Sequence, residues 1–254
     1  MSTVRVDDHE QGVRLLTLDR PPANALDETL LGDLDMALAA AAEASSVRAV
    51  VLTGAGTFFS GGFDLRAPRR DAAATAGIGR LCRDSHLRLL AFPKPTIAMV
   101  GGHAIAGGFV LALACDYRLG VAGDYRIGLN EVAIGASFPL VAFEIVRLRL
   151  PHARAAETML GAAIYPAPQG QRLGLVDELL PAENFAATVL RRAARMGAFP
   201  REAYAHTKAA LLGDVVARVR TETPAEAAAT AAIWTTPESR AARAAQRTKL
   251  GKGS

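Results

Sequence analysis

Apolar positions recur along the chain in two rhythms. From Val13 to Asp19 the run VRLLTLD has the pattern of a half-buried strand, and Pro21-Pro22-Ala23-Asn24 stops it in a turn. The spacing then changes to four: Leu26, Leu30, Leu34 and Leu38 share one helix face, with Asn24 or Asp27 as candidate N-caps. Arg48 to Thr53 is again a short β-branched run, so strand, helix and strand follow one another and predict parallel pairing through a helical crossover. A glycine-rich loop from Gly54 to Arg66 leads into a loosely helical segment, 67 to 80, and an amphipathic helix from Leu81 to Phe92 that ends before Pro93 and Pro95. Strands are expected at Thr96 to Val100, Tyr117 to Val121, Tyr125 to Leu129 and Gly174 to Leu180. Helices are expected at Phe138 to Leu150 and His152 to Leu160. After Ala182 the chain keeps helical spacing, broken at Pro200, Pro224 and Pro237, and forms a tail too poor in large apolar residues, apart from Trp234, for a core of its own. Such a tail packs on the main domain or on another subunit.

The stretch from Gly101 to Asp116, GGHAIAGGFVLALACD, is the centre of this pattern: a buried strand runs through glycines into the first turn of a helix. The first amides of a helix lack intrahelical partners and lie at its positive end, where oxygen that gains negative charge is stabilised. Gly107 and Gly108 let a ligand carbonyl approach the backbone closely. Ile97 to Cys115 has nearly the length of a membrane span, but Pro95 opens it, glycines interrupt it, and neither flank carries a basic cluster or aromatic belt. Phe59-Ser60-Gly61-Gly62-Phe63-Asp64-Leu65 bares the backbone beside another strand end, where ligands also collect.

Composition narrows the chemistry. The 254 residues are half apolar and 21% charged, an ordinary globular balance, and the strand-helix-strand order makes the expected fold class α/β. Met1 to Glu10 is polar and of mixed charge, with no apolar signal region, so a cytoplasmic location is expected. Cys82 and Cys115 read as buried thiols. The net charge of +4 is dispersed and no aromatic-basic interleaving is present, which argues against nucleic acid and leaves phosphate on a small ligand as the partner of the basic residues. His9, His86, His103, His152 and His206 are too scattered to predict a metal site. Gly54-Ala55-Gly56 and Gly77-Ile78-Gly79 lack the third glycine of a dinucleotide loop, and neither GxxxxGK nor GxSxG occurs.

Four blocks in order carry a resemblance to the crotonase (enoyl-CoA hydratase/isomerase) superfamily: FSGGFDL at 59 to 65, GHAIAGGFVLALACDYRL at 102 to 119, IGLNEVAIG at 127 to 135 and RLGLVDELLP at 172 to 181. The resemblance implies a spiral core of repeated ββα units over 1–195 and a helical oligomerisation region over 196–254, assembling as a homotrimer or hexamer. It implies an acyl-CoA thioester substrate, with coenzyme A belonging to the substrate and no separate cofactor, metal or membrane partner. By motif position the amides of Phe63 and Gly107 hold the thioester oxygen. Gly61, Ala23 and Ala25 face the CoA moiety, Arg66 its phosphate, and Lys208 the phosphate of a neighbouring subunit's ligand. Asp64 stands in the same CoA-facing loop, and it and Asp116 have a structural reading. Gly108, Val110 and Pro139 are further substrate- or CoA-binding positions by the same resemblance. The family's hydratases use two glutamates; here Val110 stands where the first belongs, and the second is retained as Glu131. Asn130-Glu131 and Pro21-Pro22-Ala23-Asn24 are similar to the mitochondrial type of 3,2-trans-enoyl-CoA isomerase, which implies double-bond migration with one base. Two alternatives remain open: a hydratase or thioester hydrolase in which Glu144 supplies the second acid, and a non-catalytic acyl-CoA-binding protein.

Overall fold

The computed structural model describes residues 2–65 and 72–251. Along the chain run β1 (Val4–His9), β2 (Val13–Leu18), α1 (Glu28–Glu43), β3 (Ala49–Gly54), β4 (Phe58–Ser60), α2 (Ala72–Leu90), β5 (Thr96–Val100), β6 (His103–Ile105), α3 (Gly107–Ala114), β7 (Tyr117–Val121), β8 (Arg126–Gly128), α4 (Leu140–Arg149), α5 (His152–Leu160), β9 (Ile164–Pro166), α6 (Ala167–Arg172) and β10 (Glu178–Leu180). The helices α7 (Phe185–Gly197), α8 (Arg201–Arg220), α9 (Pro224–Ile233) and α10 (Pro237–Gly251) complete it.

Two sheets result, one of six strands in the order β1-β2-β3-β5-β7-β10 and one of four in the order β4-β6-β8-β9. Strands β3, β5 and β7 each enter the large sheet, the strand that follows each enters the small one, and a helix closes each turn, which is the ββα spiral. The pairs from β2 through β3, β5, β7 and β10 are parallel, as the strand-helix-strand order requires. β3 is buried on both faces: Val50 and Leu52 join the main core, while Ala49 and Val51 meet Val189 and Ala193 of α7. This double cover explains its continuous apolar run.

β1 has no counterpart in the sequence reading. It is an antiparallel edge strand on β2 in which Val4 alone is buried, so it lacks the alternation that marks a half-buried strand. The strand expected from Gly174 is shorter, because Gly174 takes a φ of +77 and pairing begins at Glu178. Asp27, not Asn24, caps α1 and accepts from the Leu30 amide at 2.8 Å.

The tail returns to its own chain. Lys208, Leu212 and Val219 of α8 are buried, and α10 meets the 3-10 turn at Val132–Ile134. Lys208, read from the sequence as a partner of a neighbour's CoA phosphate, is instead ion-paired with Asp116 at 2.8 Å. Asp116 also accepts from the Tyr204 hydroxyl at 2.8 Å and the Thr96 amide at 2.9 Å, so it ties α8 to the end of α3. That pair compensates the charge of the buried ammonium within its own chain. No helix among the described residues is long and apolar enough to cross a membrane.

Candidate active site

The small sheet positions the site. β4 pairs with β6 so that Ser60 is opposite Ala104, and β6 pairs with β8 so that Ile105 is opposite Gly128. All three run parallel, and from these registers Phe63, Gly107 and Glu131 each follow within three residues of a strand end on the same edge. Ligand sites in parallel α/β sheets form at such C-terminal edges.

Phe63 is fixed by a bridge to Leu26: the Leu26 amide donates to Gly62 at 2.8 Å and the Asp64 amide to Leu26 at 3.0 Å. Because the residues flanking Phe63 make these bonds, its own N–H faces away from Leu26. Gly62 has a φ of +81, and a Cβ there would stand 2.9 Å from the Ile105 oxygen and 3.1 Å from the Gly107 nitrogen. The two loops therefore abut, and glycine is what permits it.

Ala106 begins α3 with a φ of 52, an uncommon conformation for a residue with a side chain. Its amide donates to Gly128 at 2.9 Å, and its carbonyl accepts from Phe109 at 2.8 Å and Val110 at 3.0 Å. The amides of Gly107 and Gly108 precede these first helical bonds and have no intrahelical acceptor. Gly107 lies against Leu26 and the Phe63 ring, and Gly108 against Ser60. From behind, the fully buried His86 ring of α2 bonds the Cys82 carbonyl at 2.8 Å and the Gly107 carbonyl; burial pushes its pKa down and those bonds oppose the shift. The sequence reading had no role for His86.

Glu131 is 6% exposed, and its carbonyl accepts from Ile134 and Ala136 in a tight turn. Its Oε2 is buried and makes no hydrogen bond to the described residues. Burial raises its carboxyl from 4.5 to about 8, with its own amide and that of Asn130 pulling the other way. Trp234, from the junction of α9 and α10, closes the site: its indole N–H donates to Ser137 at 3.1 Å and its ring meets Phe63 edge-on at 6.0 Å. Ile134 and Ala136 pack with it against Phe63 and Leu65. The lone tryptophan of a helical tail gave no sign of this place in the sequence.

The other expected positions divide. Gly61 donates its amide to Ala23 at 2.8 Å, and the Ala25 carbonyl accepts from Arg20, which also pairs with Asp64 next to Phe63. Asp64 is an ion-pair partner of Arg20 at 2.7 Å. Val110 is completely buried in the main core and offers a ligand no accessible surface here. Pro139 lines a cavity together with Phe63 and Trp234. Arg66 lies outside the described residues. Glu144, the candidate second acid, is buried in ion pairs with Arg218 at 2.7 Å and Arg147 at 3.3 Å, so its carboxylate is committed to α4 and α8.

The geometry is matched by likeness to known proteins. The profile of the family described as enoyl-CoA hydratase/isomerase matches residues 8–247. Enoyl-CoA delta isomerase 1, mitochondrial, of Homo sapiens is 29% identical over 218 residues, 85% of this chain and 72% of that protein. The 2,3-dehydroadipyl-CoA hydratase of Escherichia coli (strain K12) is 36% identical over 189 residues, 74% of this chain and 73% of that one. Among solved structures, human mitochondrial delta3-delta2-enoyl-CoA isomerase superposes with a TM-score of 0.94 at 26% identity, covering 99% of each chain.

Proposed function

Since the chain belongs to the enoyl-CoA hydratase/isomerase family, we propose that it moves a double bond of an acyl-CoA from C3 to C2 with one carboxylate. Ionised Glu131 removes a proton from C2 of a 3-enoyl-CoA and the conjugate acid returns one at C4, giving the 2-enoyl isomer. In between, negative charge rests on the thioester oxygen, held by the Phe63 and Gly107 amides; such donors are typically worth about 3 kcal/mol each. The observation that carries this reading is the composition of the site: Glu131 is its buried, uncompensated carboxylate, the family's other glutamate position is Val110, and Glu144 is held by arginines. Adding water across a 2-enoyl-CoA asks for a second acid, which these residues do not supply.

Glu131→Gln keeps the shape and removes the base. Conversion of 3-enoyl- to 2-enoyl-CoA should fall by about 10² to 10⁴, the usual worth of a general base, while saturated acyl-CoA affinity stays within a few fold. A variant that isomerises at the wild-type rate, or a wild type that hydrates 2-enoyl-CoA fast, would overturn the proposal.

A further inference from the structure

A cavity of about 450 Å³ opens beside the candidate site, with Phe63, Pro139 and Trp234 at one end and the α9 side chains Ala227, Ala228 and Ala231 along its wall. Six of the ten residues of α9 are alanine, and none of its residues is buried. An apolar helix that buries nothing leaves a surface which favours an apolar cover. Facing it, Ile78 of α2 adds further apolar wall.

We infer that the substrate carries an acyl chain of medium to long length, roughly ten carbons or more, laid along the alanine face of α9. This rests on the reading that the thioester carbonyl sits at Phe63 and Gly107, because the cavity begins at Phe63, whose ring lies against Gly107. A methylene is about the size of a water molecule, whose share of liquid volume is about 30 Å³. The cavity therefore admits on the order of ten to fifteen methylenes, and a butanoyl tail would leave most of it unfilled. The chain end is uncharged: of the two arginines in the wall, Arg83 already pairs with Asp84 at 3.0 Å and lies close enough to Glu222 to oppose the rise of its pKa on burial, and Arg80 is exposed to solvent. Alanine at four of the α9 positions in the wall, Ala227, Ala228, Ala231 and Ala232, makes it a gauge, since a larger side chain there shortens the space.

Calorimetric binding of saturated butanoyl-, decanoyl- and ω-carboxydecanoyl-CoA tests the inference without turnover. Each buried methylene strengthens binding roughly fourfold, so decanoyl-CoA should bind at least about a hundredfold more tightly than butanoyl-CoA. Ala231→Leu with Ala228→Leu should lower that ratio at least tenfold, whereas Ala225→Leu, on the same helix but outside the cavity wall, should leave it alone. Equal affinities for the two chain lengths, a ratio that survives the double variant, or tighter binding of the ω-carboxylated chain would each overturn the inference. Chain-graded binding without double-bond migration would sink the isomerase reading and leave this one standing.

Discussion

Glu131 shows how one residue sets both a reaction and a stability. Burial without a cation favours its neutral form, so between pH 4.5 and about 8 the native state holds a proton that the unfolded chain releases. Where the native state binds more protons, stability falls as pH rises, so wild type should lose stability through that window. Glu131→Gln escapes this penalty. The difference in melting temperature between variant and wild type should therefore grow in the variant's favour as pH rises from 4.5 to about 8, and level off above. Because the base is the ionised form, kcat/KM for isomerisation should rise over the upper part of the same range towards a plateau. A pH-independent difference in melting temperature would place the carboxyl in water. The sequence made Glu131 legible through its block, but its electrostatic condition is a consequence of burial, which only the packed chain shows. Lys208 is the opposite case. A lysine in a helical tail looks like a free cation, and only packing shows Asp116 against it.

At the scale of elements, long runs were readable and short ones were not. Strands β2, β3, β5 and β7 and helices α1, α4 and α5 have enough residues for a period to show, whereas β4, β6 and β9 have three residues each. Three residues cannot display alternation, so of the small sheet that aligns Phe63, Gly107 and Glu131 only β8 was legible, within the run Tyr125 to Leu129, and the rest was visible as glycine-rich loops between strands. Its dependence on close approach can be measured. A Cβ on Gly108 would stand 2.6 Å from that of Ser60 and overlap the Ser60 carbonyl, forcing α3 away from β4. Gly108→Ala should cost at least about 1 to 3 kcal/mol in urea unfolding and lower isomerase activity, since α3 carries the Gly107 amide. Gly32→Ala in α1 has nothing within 4 Å of the new methyl and should instead stabilise by about 0.5 to 1 kcal/mol. If the two substitutions have equal effects, the contact between α3 and Ser60 is looser than described.

In the whole molecule, the C-terminal helices reach back over the site. Arg243 of α10 donates to the Gly135 carbonyl at 3.1 Å, bonds the Trp234 carbonyl, and places its guanidinium 5.4 Å from the Trp234 ring centre. Arg247 donates to the Leu65 carbonyl at 3.2 Å, and Ser239 packs on Gly135, where a Cβ could not fit. One helix thus grips the turn after Glu131, the strap tryptophan and the loop after Phe63. The main cores lie almost entirely before Ala198, apart from Leu212 and Val219 of α8, so a chain ended after Thr236 keeps what it needs to fold. It should unfold cooperatively, yet show a longer-wavelength Trp234 emission and at least about a tenfold lower kcat, because the Glu131 turn and the Phe63 loop lose their common support. Light scattering on both chains reads the assembly that the family resemblance implies, three or six copies. If α10 serves its own subunit, as its contacts within the chain argue, the shortened protein keeps the parent's oligomeric state while losing activity. Full activity in the shortened chain would show that α10 does not support the site, and dissociation on shortening would assign α10 to the subunit interface instead.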